Sequence, residues 1–346
     1  NKLKIRFNFF TFTLHITVAN EFQNMTAESE YAFFPEKNVT VIKAPFNGGQ
    51  GKLGVEQAPE KLIENGLLDD IKEQGWRYEI EDPLKGDDWR AMRADASDVY
   101  GNCKRPHMVS EGAKKVYEAS VKARENNTFP LTVGGDHAIG MATLLAFVKK
   151  YPDGGIIWVD AHADINTPTT TESGNLHGCP VAFAMGLDQE HWPSDFDWIK
   201  QLGHFINPKQ IAYIGLRDVD KGERKILRDL GITAFSMYHV DKYGINTVVQ
   251  KAIKAINPSG KAPIHVSYDV DGIDPQYVAS TGTPVRGGLS LREGLFIMEE
   301  LAASHLLAGL DIVEVNPALG PTKTHTLDTV NTGLSISRCA LGDTIL

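Results

Sequence analysis

Short apolar runs alternate with segments of helical periodicity along most of this chain. The apolar runs, rich in β-branched residues, are residues 39–46, 129–133, 155–159, 211–215, 233–237, 264–268 and 310–313. Apolar positions at helical spacing predict helices over residues 110–123, 139–150 and 292–304, and Ser110 is a suitable N-cap for the first. Short apolar strands separated by helices indicate βαβ units and a parallel sheet buried on both faces.

The economical fold is a three-layer α/β/α sandwich with a mainly parallel central sheet. The interior of the chain shows no linker, repeat or low-complexity tract, so we expect one domain over residues 31–346. A barrel stays open as an alternative, because strand order cannot be read from periodicity.

Residues 1–30 form a separate N-terminal extension. Lys2, Lys4 and Arg6 precede the apolar stretch 7–19, and this pattern fits a secretory signal or an organelle presequence. A disordered extension ahead of an internal start at Met25 explains it equally well. The sparse, odd number of cysteines, three, favours a reducing compartment and hence the cytoplasm. Mitochondrial or secreted locations follow only if the extension is a targeting segment.

The formal net charge is −9, and it narrows the choice of partners. Nucleic acids and anionic membranes favour a basic face, so we expect neither as a partner. No apolar run reaches the length of a transmembrane helix. The charge is compatible with a cationic small molecule as the ligand.

Several apolar runs end in side chains that bind metals. Six such residues follow the runs 129–133, 155–159 and 264–268: His137, Asp160, His162, Asp164, Asp269 and Asp271. The carboxyl ends of parallel strands form the usual ligand-binding edge of an open α/β sheet, so these side chains have a common place to meet. Positions two apart also share one face of an extended backbone, which helps the aspartates and histidines to converge.

Converging carboxylates repel one another unless a cation lies between them, and divalent metals supply that charge. Oxygen and imidazole ligands without a thiolate suit Mn²⁺, while Fe²⁺, Co²⁺ and Ni²⁺ remain open. Any one of the six residues has an ordinary structural explanation, such as a helix cap or a core histidine. Their joint occurrence at three strand ends indicates a metal site.

Three motifs resemble those of the ureohydrolase superfamily and, within it, the arginase family. They are Gly-Gly-Asp-His at 134–137, Asp-Ala-His-Ala-Asp at 160–164, and Ser-Tyr-Asp-Val-Asp-Gly-Ile-Asp-Pro at 267–275, which is followed by Thr-Gly-Thr-Pro at 281–284. The resemblance runs from about residue 39 into the 330s. It implies an arginase-like catalytic domain that hydrolyses L-arginine to L-ornithine and urea with a hydroxide bridging two Mn²⁺ ions.

The resemblance also implies a ligand set for each ion. One ion is held by His137, Asp160, Asp164 and Asp269, and the other by Asp160, His162, Asp269 and Asp271. Asp160 and Asp269 would then bridge the two ions.

The loop after Asp164 resembles the arginase version of this segment. In that family, positions matching Asn166 and Ser173 contact the α-carboxylate of the amino acid, and the position matching Asp220 lies near its α-amino group. The resemblance makes His177 a proton shuttle or general acid, with Asp164 taking part in proton delivery, and places Glu314 beside the substrate guanidinium. Thr283 is a candidate for orienting the nucleophile or the substrate.

Two other functions remain open at this point. Agmatinase or another ureohydrolase is the nearest alternative, and a non-catalytic regulatory protein that binds metal on the same fold belongs to a different class. The resemblance further implies a homotrimer, since Arg292 and Glu293 match a pair at the family's subunit interface.

The glycine-rich segment 48–52, Gly-Gly-Gln-Gly-Lys, suggests a phosphate loop but does not have its spacing. That motif would need glycine in place of Phe46 and serine or threonine in place of Leu53. We therefore assign no phosphate site to it.

Overall fold

A computed structural model describes residues 31–344 of the 346-residue chain. The predictions made for residues 1–30 lie outside the described residues. Within 31–344, no helix is both long enough and apolar enough to cross a membrane.

The architecture is built on one eight-stranded sheet. The strands of the chain are β1 (Asn38–Ala44), β2 (Arg77–Glu81), β3 (Val99–Tyr100), β4 (Cys103–Lys104), β5 (Phe129–Gly134), β6 (Gly155–Val159), β7 (Ile211–Leu216), β8 (Thr233–Ser236), β9 (Ile264–Asp269) and β10 (Leu307–Val313). The order in the large sheet is β2-β1-β5-β10-β9-β6-β7-β8, and every neighbouring pair is parallel. β3 and β4 form a separate antiparallel hairpin.

Twelve α-helices lie within residues 31–344, and ten of them pack in two groups against this sheet. They are α1 (Ala58–Glu64), α2 (Leu67–Glu73), α3 (Trp89–Ala94), α4 (Pro106–Glu125), α5 (Gly140–Lys150), α6 (Pro180–Met185), α7 (Asp197–Leu202), α8 (Lys221–Asp229), α9 (Met237–Tyr243), α10 (Ile245–Ile256), α11 (Leu291–Ala303) and α12 (Lys323–Ala340). α3 to α6 form one group, which contacts β1, β5 and β9; α9 to α12 with α1 and α2 form the other, which contacts β5, β6, β7 and β10.

This arrangement confirms the three-layer sandwich with a mainly parallel sheet and excludes the barrel, because β2 and β8 end an open sheet. All seven predicted apolar runs form strands. β5, β6, β7, β9 and β10 are buried along their whole length, as expected for central parallel strands covered on both faces.

The predicted start of the first helix is wrong by one turn. α4 begins at Pro106 rather than at Ser110, with Arg105 before it in a left-handed conformation. Proline suits the first helical position because its fixed φ fits and its missing N–H has no partner to lose there. Ser110 lies inside the helix, where its hydroxyl donates to the Asp195 carbonyl oxygen at 2.6 Å.

Most of the other helices and the strands β2, β3 and β4 were not predicted from the sequence, and two of these elements escaped for different reasons. β2 is an edge strand whose residues are exposed or half-buried, so it carries no apolar run. α12 buries mainly small and hydroxyl side chains, including Thr329, Gly333 and Ser337, which apolar periodicity does not detect.

The strand order sets the position of the site. β10, the last strand in sequence, lies between β5 and β9, and β6 lies beside β9. The carboxyl ends of these four adjacent strands are followed by His137, Glu314, Asp271 and Asp160. Residues that are distant in sequence therefore meet at one edge of the sheet.

At Gly135, the backbone after β5 lies directly against the backbone of the segment that follows β1. The Gly135 N–H donates to the Ala44 carbonyl oxygen at 2.9 Å, and its own carbonyl oxygen accepts from the Glu314 N–H at 2.9 Å. A Cβ atom at this position would lie 2.0 Å from the Phe46 carbonyl oxygen, which is backbone and cannot swing away.

We expect Gly135→Ala to lower the free energy of unfolding by about 1–3 kcal/mol, because the added methyl group forces β5 and the segment after β1 apart. The matched control is Gly178→Ala, where a Cβ would meet no atom within 4 Å. Chemical denaturation of both variants measures the difference. Equal stabilities for the two variants would contradict the steric argument.

Candidate functional site

All six residues predicted as metal ligands lie together at the carboxyl edge of the sheet. His137 begins the 3-10 turn after β5, Asp160 follows β6 directly, and Asp269 ends β9. Five of the side chains form two overlapping groups, His137 with Asp160 and Asp164, and Asp160 with His162 and Asp271, while the sixth, Asp269, lies 3.4 Å from His137 through its Oδ2. In each group the possible ligand atoms lie within 4.8 Å of one another.

His137 directs one ring nitrogen at three carboxylates. Its Nδ1 lies 3.2 Å from Asp160 Oδ2, 3.2 Å from Asp164 Oδ2 and 3.4 Å from Asp269 Oδ2. This nitrogen is buried and makes no hydrogen bond of acceptable geometry to any residue in 31–344. The other ring nitrogen, Nε2, lies 2.9 Å from Ser267 Oγ. When Nε2 donates its hydrogen to Ser267, Nδ1 presents a lone pair to the carboxylates, as a metal ligand must.

Packing fixes the plane of the same ring. The imidazole stacks on the Trp158 indole with ring centroids 4.0 Å apart and planes within 9°. The Trp158 Nε1–H donates to Asp160 Oδ2 at 3.0 Å, so one side chain orients a histidine and an aspartate together.

The second group is built around Asp160. His162 Nδ1 lies 3.3 Å from Asp160 Oδ1 and 3.2 Å from Asp271 Oδ2. Backbone N–H groups hold both carboxylates, since His162 N donates to Asp160 Oδ1 at 2.6 Å and Ala161 N donates to Asp271 Oδ1 at 3.3 Å. Thr283 Oγ1 donates to Asp271 Oδ2 at 2.9 Å, which places the predicted Thr283 beside this group.

The backbone of residues 160–164 differs from the extended strand that the sequence predicted. β6 ends at Val159, so the alternating residues lie in a loop rather than on an extended strand. Asp164 has φ of 49°, a left-handed conformation that costs a residue with a side chain about 1–3 kcal/mol. Its carboxylate nevertheless reaches His137, so the loop stores backbone strain at the site.

The buried carboxylates strongly perturb one another. Burial, then the charges of Asp271 and Asp160, raise the pKa of Asp269 well above its usual value. Burial and the Asp160 charge raise the pKa of Asp164 to about 6. Burial opposes charge on His137 as well, but its aspartate partners outweigh this and raise its pKa well above the usual value. The raised pKa values mean that these groups hold protons readily, and those protons supply positive charge that the cluster requires.

This donor set fits divalent metal ions. It offers four carboxylates and two imidazoles, one of which aims a buried nitrogen without a hydrogen bond, His137 Nδ1, at the carboxylates, and it includes no thiolate. Ser267 accepts from His137, and Trp158 and a backbone amide donate to Asp160, so hydrogen bonds on the far side of these side chains orient them, as in metal sites of proteins.

Glu314 and His177 form a buried pair beside the cluster. Glu314 follows β10 with φ of 62°, and its Oε1 accepts from His137 N at 3.1 Å and from His177 Nδ1 at 3.1 Å. Burial raises the pKa of Glu314, but the hydrogen bond from His177 prevails and lowers it, so the carboxylate is ionised. Burial lowers the pKa of His177, but Glu314 outweighs this and raises it to about 9.

A cavity of about 190 Å³ opens over the cluster. Acidic and amide side chains dominate its lining, which consists of His162, Asp164, Asn166, His177, Gly178, Asp218, Asp220, Glu223, Asp269 and Thr283. Burial and the charges of Asp164 and Asp220 raise the pKa of Glu223 to about 8. A cavity with this many carboxylates favours a cationic ligand.

The predicted substrate residues do not all reach the cavity. Asn166 and Asp220 line it and are joined, since Asn166 Nδ2 donates to Asp220 Oδ2 at 2.8 Å. Ser173 is exposed outside the lining, and its Oγ accepts from Asn175 N at 3.2 Å. The role of Ser173 stays a prediction. Its loop is fixed by Gly174, where a Cβ would lie 1.8 Å from the Asn102 carbonyl oxygen.

Three residues at the site were missed from sequence. Asp218 lies in the cavity wall, and its Oδ2 is 3.8 Å from His162 Nε2. Glu223 completes a capping box with Asp220, and an acidic residue three positions after a capping residue is a signal that the sequence offered. Gln50 donates from Nε2 to Glu314 Oε2 at 3.1 Å, from within the glycine-rich segment rejected as a phosphate loop.

A third group of ligand-type side chains, Asp188, Glu190 and His191, lies elsewhere on the surface of the described chain. Glu190 and His191 are exposed, and the group contains a single histidine. Exposed acidic groups of this kind are common without a metal, so this group serves best as a control.

Comparison with known proteins agrees with the geometry. The model of the arginase family matches residues 37–340. The arginase of Eremothecium gossypii is 53% identical over 316 residues, which cover 91% of this chain and 78% of that protein. The arginase of Saccharomyces cerevisiae is 49% identical over 336 residues, 93% of this chain and 100% of that protein. The solved arginase of Bacillus caldovelox has a TM-score of 0.81 at 30% identity and covers 90% of this chain and 100% of its own.

These matches confirm the resemblance seen in the motifs and the arginase-like form of the sandwich. They span the strands that carry the metal-ligand cluster and the loops that form the cavity above it. The chain belongs to the arginase family.

Proposed function

We propose that this chain hydrolyses L-arginine to L-ornithine and urea with two Mn²⁺ ions bound at the cluster. The observation that carries the proposal is a buried Glu314 paired with His177 beside six candidate metal-ligand side chains, under a cavity lined with carboxylates. A guanidinium group stays protonated at physiological pH, so it is the kind of cation that such a site binds.

The ligands divide between the ions as the family resemblance implies. His137, Asp160, Asp164 and Asp269 hold one ion, and Asp160, His162, Asp269 and Asp271 hold the other. Support comes from the two oxygens of Asp160, since Oδ2 faces His137 and Oδ1 faces His162. When bound, a pair of divalent cations supplies a strong nucleophile at neutral pH by lowering the pKa of water. Oxygen-rich ligands favour Mn²⁺ among the candidates.

Glu314 orients the substrate. A fully buried carboxylate needs a cationic partner, and in the free chain that partner is the His177 imidazolium. The substrate guanidinium brings a permanent charge and paired N–H donors, so it takes over this role through charge-assisted hydrogen bonds. The scissile carbon is then held beside the cluster.

His177 supplies the proton that the leaving group needs. Once the guanidinium pairs with Glu314, the imidazolium loses part of the interaction that holds its proton. The proton then passes to the amine nitrogen as the bond from that nitrogen to the guanidinium carbon breaks. Asp164 lies in the cavity wall with His177 and takes part in returning a proton to the ring.

The far end of the cavity selects an amino acid. Asp220 offers negative charge to the α-amino group, and Asn166 offers hydrogen bonds to the α-carboxylate, a role that the family resemblance also gives to Ser173. An amide nitrogen carries two hydrogens, and Asp220 accepts one of those on Asn166. Agmatine lacks the carboxylate and would leave these donors unpaired.

We also propose a homotrimer in the cytoplasm. Arg292 pairs with Glu299 of its own chain but keeps 65% of its side chain exposed, which leaves it accessible to another subunit. Sedimentation of the purified protein gives its mass in solution.

Urea release from arginine and from agmatine tests the proposed function directly. On protein reloaded with Mn²⁺, we expect kcat/KM for arginine to exceed that for agmatine by about 100-fold or more, because agmatine leaves polar groups unpaired. Asn166→Ala should reduce this preference. A preference for agmatine would identify a different ureohydrolase. Metal-loaded protein without activity on any guanidino compound would favour a non-catalytic metal-binding protein.

Asp271→Asn tests the metal ligands, because it keeps the shape of the side chain but removes its charge. We expect the affinity for one of the two ions to fall by at least about tenfold, with loss of urea formation at stoichiometric metal. Metal content after dialysis measures this. The control is Asp188→Asn in the surface group 188–191, which should leave the metal content unchanged. Full activity of Asp271→Asn would contradict the assignment.

The titration of His177 tests the buried pair. In metal-free protein we expect its pKa near 9, and Glu314→Gln should bring it down towards the ordinary value of about 6.5. The raised pKa means that His177 adds stability below about pH 6.5, and that this stability is lost as the pH rises through about 9. NMR of histidine-labelled protein gives the midpoint, and His177→Asn assigns the signal. A midpoint unchanged by Glu314→Gln would rule out Glu314 as the cause.

A further inference from the structure

The backbone amides of the glycine-rich loop, residues 47–51, are bound to a carboxylate. Gly49 N and Gln50 N both donate to Asp136 Oδ2, at 2.7 Å and 3.0 Å. These are the groups that a phosphate loop would offer to a phosphate, and a buried aspartate occupies that place. The buried Asp136 carboxylate therefore anchors the loop, and the glycines allow the loop backbone to approach that carboxylate closely.

Two arginines hold the carbonyl groups of the same loop. Arg105 donates from Nε to the Gly48 oxygen at 2.6 Å and from a terminal nitrogen to the Gln50 oxygen at 3.1 Å. Arg93 donates to the Gln50 oxygen at 2.9 Å and also to the Asn47 oxygen. The N–H and the C=O of Gln50 are thus both fixed by charged side chains.

This anchoring directs the side chain of Gln50 inward. The residue is 3% exposed, and its Oε1 accepts from Gly51 N at 2.9 Å, which turns Nε2 towards the site. Nε2 donates to Glu314 Oε2 at 3.1 Å. On the other side of the amide, a Cβ at Gly282 would lie 2.6 Å from Nε2, so there is little room for the amide to rotate away.

Gln50 completes the set of donors around the Glu314 carboxylate. Oε1 accepts from His137 N and from His177 Nδ1, and Oε2 accepts from Gln50 Nε2. Two of these donors belong to residues with other proposed roles, since His137 is a candidate metal ligand and His177 a candidate proton donor. The hydrogen bond from Gln50 only holds the carboxylate in place. Without this hydrogen bond, no described side chain donates to Oε2, and the carboxylate group could rotate about its Cγ–Cδ bond.

We propose that Gln50 is a positioning residue, which sets the plane of the Glu314 carboxylate and thereby the grip of the site on the substrate guanidinium. The inference rests on the proposed function in one respect, the pairing of Glu314 with guanidinium. Gln50 Nε2 also lies 3.4 Å from His177 Nδ1, but that nitrogen gives its hydrogen to Glu314 Oε1, so the hydrogen bond that Gln50 donates goes to Glu314 and Gln50 acts through that carboxylate.

Gln50→Met tests the proposal, because methionine has similar length and no donor. We expect kcat/KM for arginine to fall about 10-fold to 100-fold, mainly through a higher KM, since a hydrogen bond to a charged group is lost. Metal content should stay unchanged. Gln50→Glu keeps the shape but puts a second carboxylate against Glu314, so it should lower kcat/KM at least as much.

Gln210→Met is the matched control. Gln210 also uses Nε2, donating to the carbonyl oxygens of Pro152 and Gly154, but it lies at the opposite end of the sheet, before β7. We expect this variant to change the melting temperature about as much as Gln50→Met does and to leave KM unchanged. Loss of metal, or a much larger loss of stability, in Gln50→Met would show a structural role and overturn the proposal.

A double variant separates this inference from the proposed function. If Gln50 acts through Glu314, adding Gln50→Met to Glu314→Gln should lower kcat/KM by no more than about twofold further. Full additivity, or a Gln50→Met enzyme within twofold of the parent, would overturn the positioning role. Calorimetric binding of guanidinium ion to the same variants judges that role even if the parent does not hydrolyse arginine, an outcome that would contradict only the proposed function.

Discussion

Mutual repulsion of buried carboxylates is the constraint on which the site depends. Asp160, Asp164, Asp269 and Asp271 share one region of low dielectric, and each negative charge there raises the cost of the next. Positive charge must therefore enter the site, as a proton on imidazole or as a metal ion. Glu314 faces the same constraint a few ångströms away and meets it with His177. In the proposed function, a metal ion at the cluster and a guanidinium group at Glu314 would both supply the positive charge that these carboxylates require.

Neutral groups around the cluster fix the orientation of its charged side chains. Trp158 orients His137 by stacking and Asp160 by a hydrogen bond, while Ser267 fixes which nitrogen of His137 faces the cluster. Gln50 has the corresponding position behind Glu314. None of these groups changes charge, so they can hold the ligands in place whatever ion or substrate is bound.

The convergence of the six candidate ligands could be predicted because strand ends and ligand residue types are both visible in the sequence. The same reasoning could not show the left-handed conformations of Asp164 and Glu314, which arise from tertiary packing and override local preference. Gln50 escaped because its partner Glu314 is 264 residues away in sequence. The spacing of the glycines argued against a phosphate loop. It could not reveal that the Asp136 carboxylate accepts hydrogen bonds from two backbone amides of that loop.

The place of β10 in the sheet bears on how the protein is made. β2, β1 and β5 form one side of the sheet and β9, β6, β7 and β8 the other, and β10 joins them. During synthesis, all six metal ligands emerge before β10 does, since the last of them is Asp271 and β10 begins at Leu307. Until that strand is inserted, His137 and Asp269 belong to separate halves of the sheet. The two halves of the centre are therefore joined in one sheet only by the strand that is made last, β10.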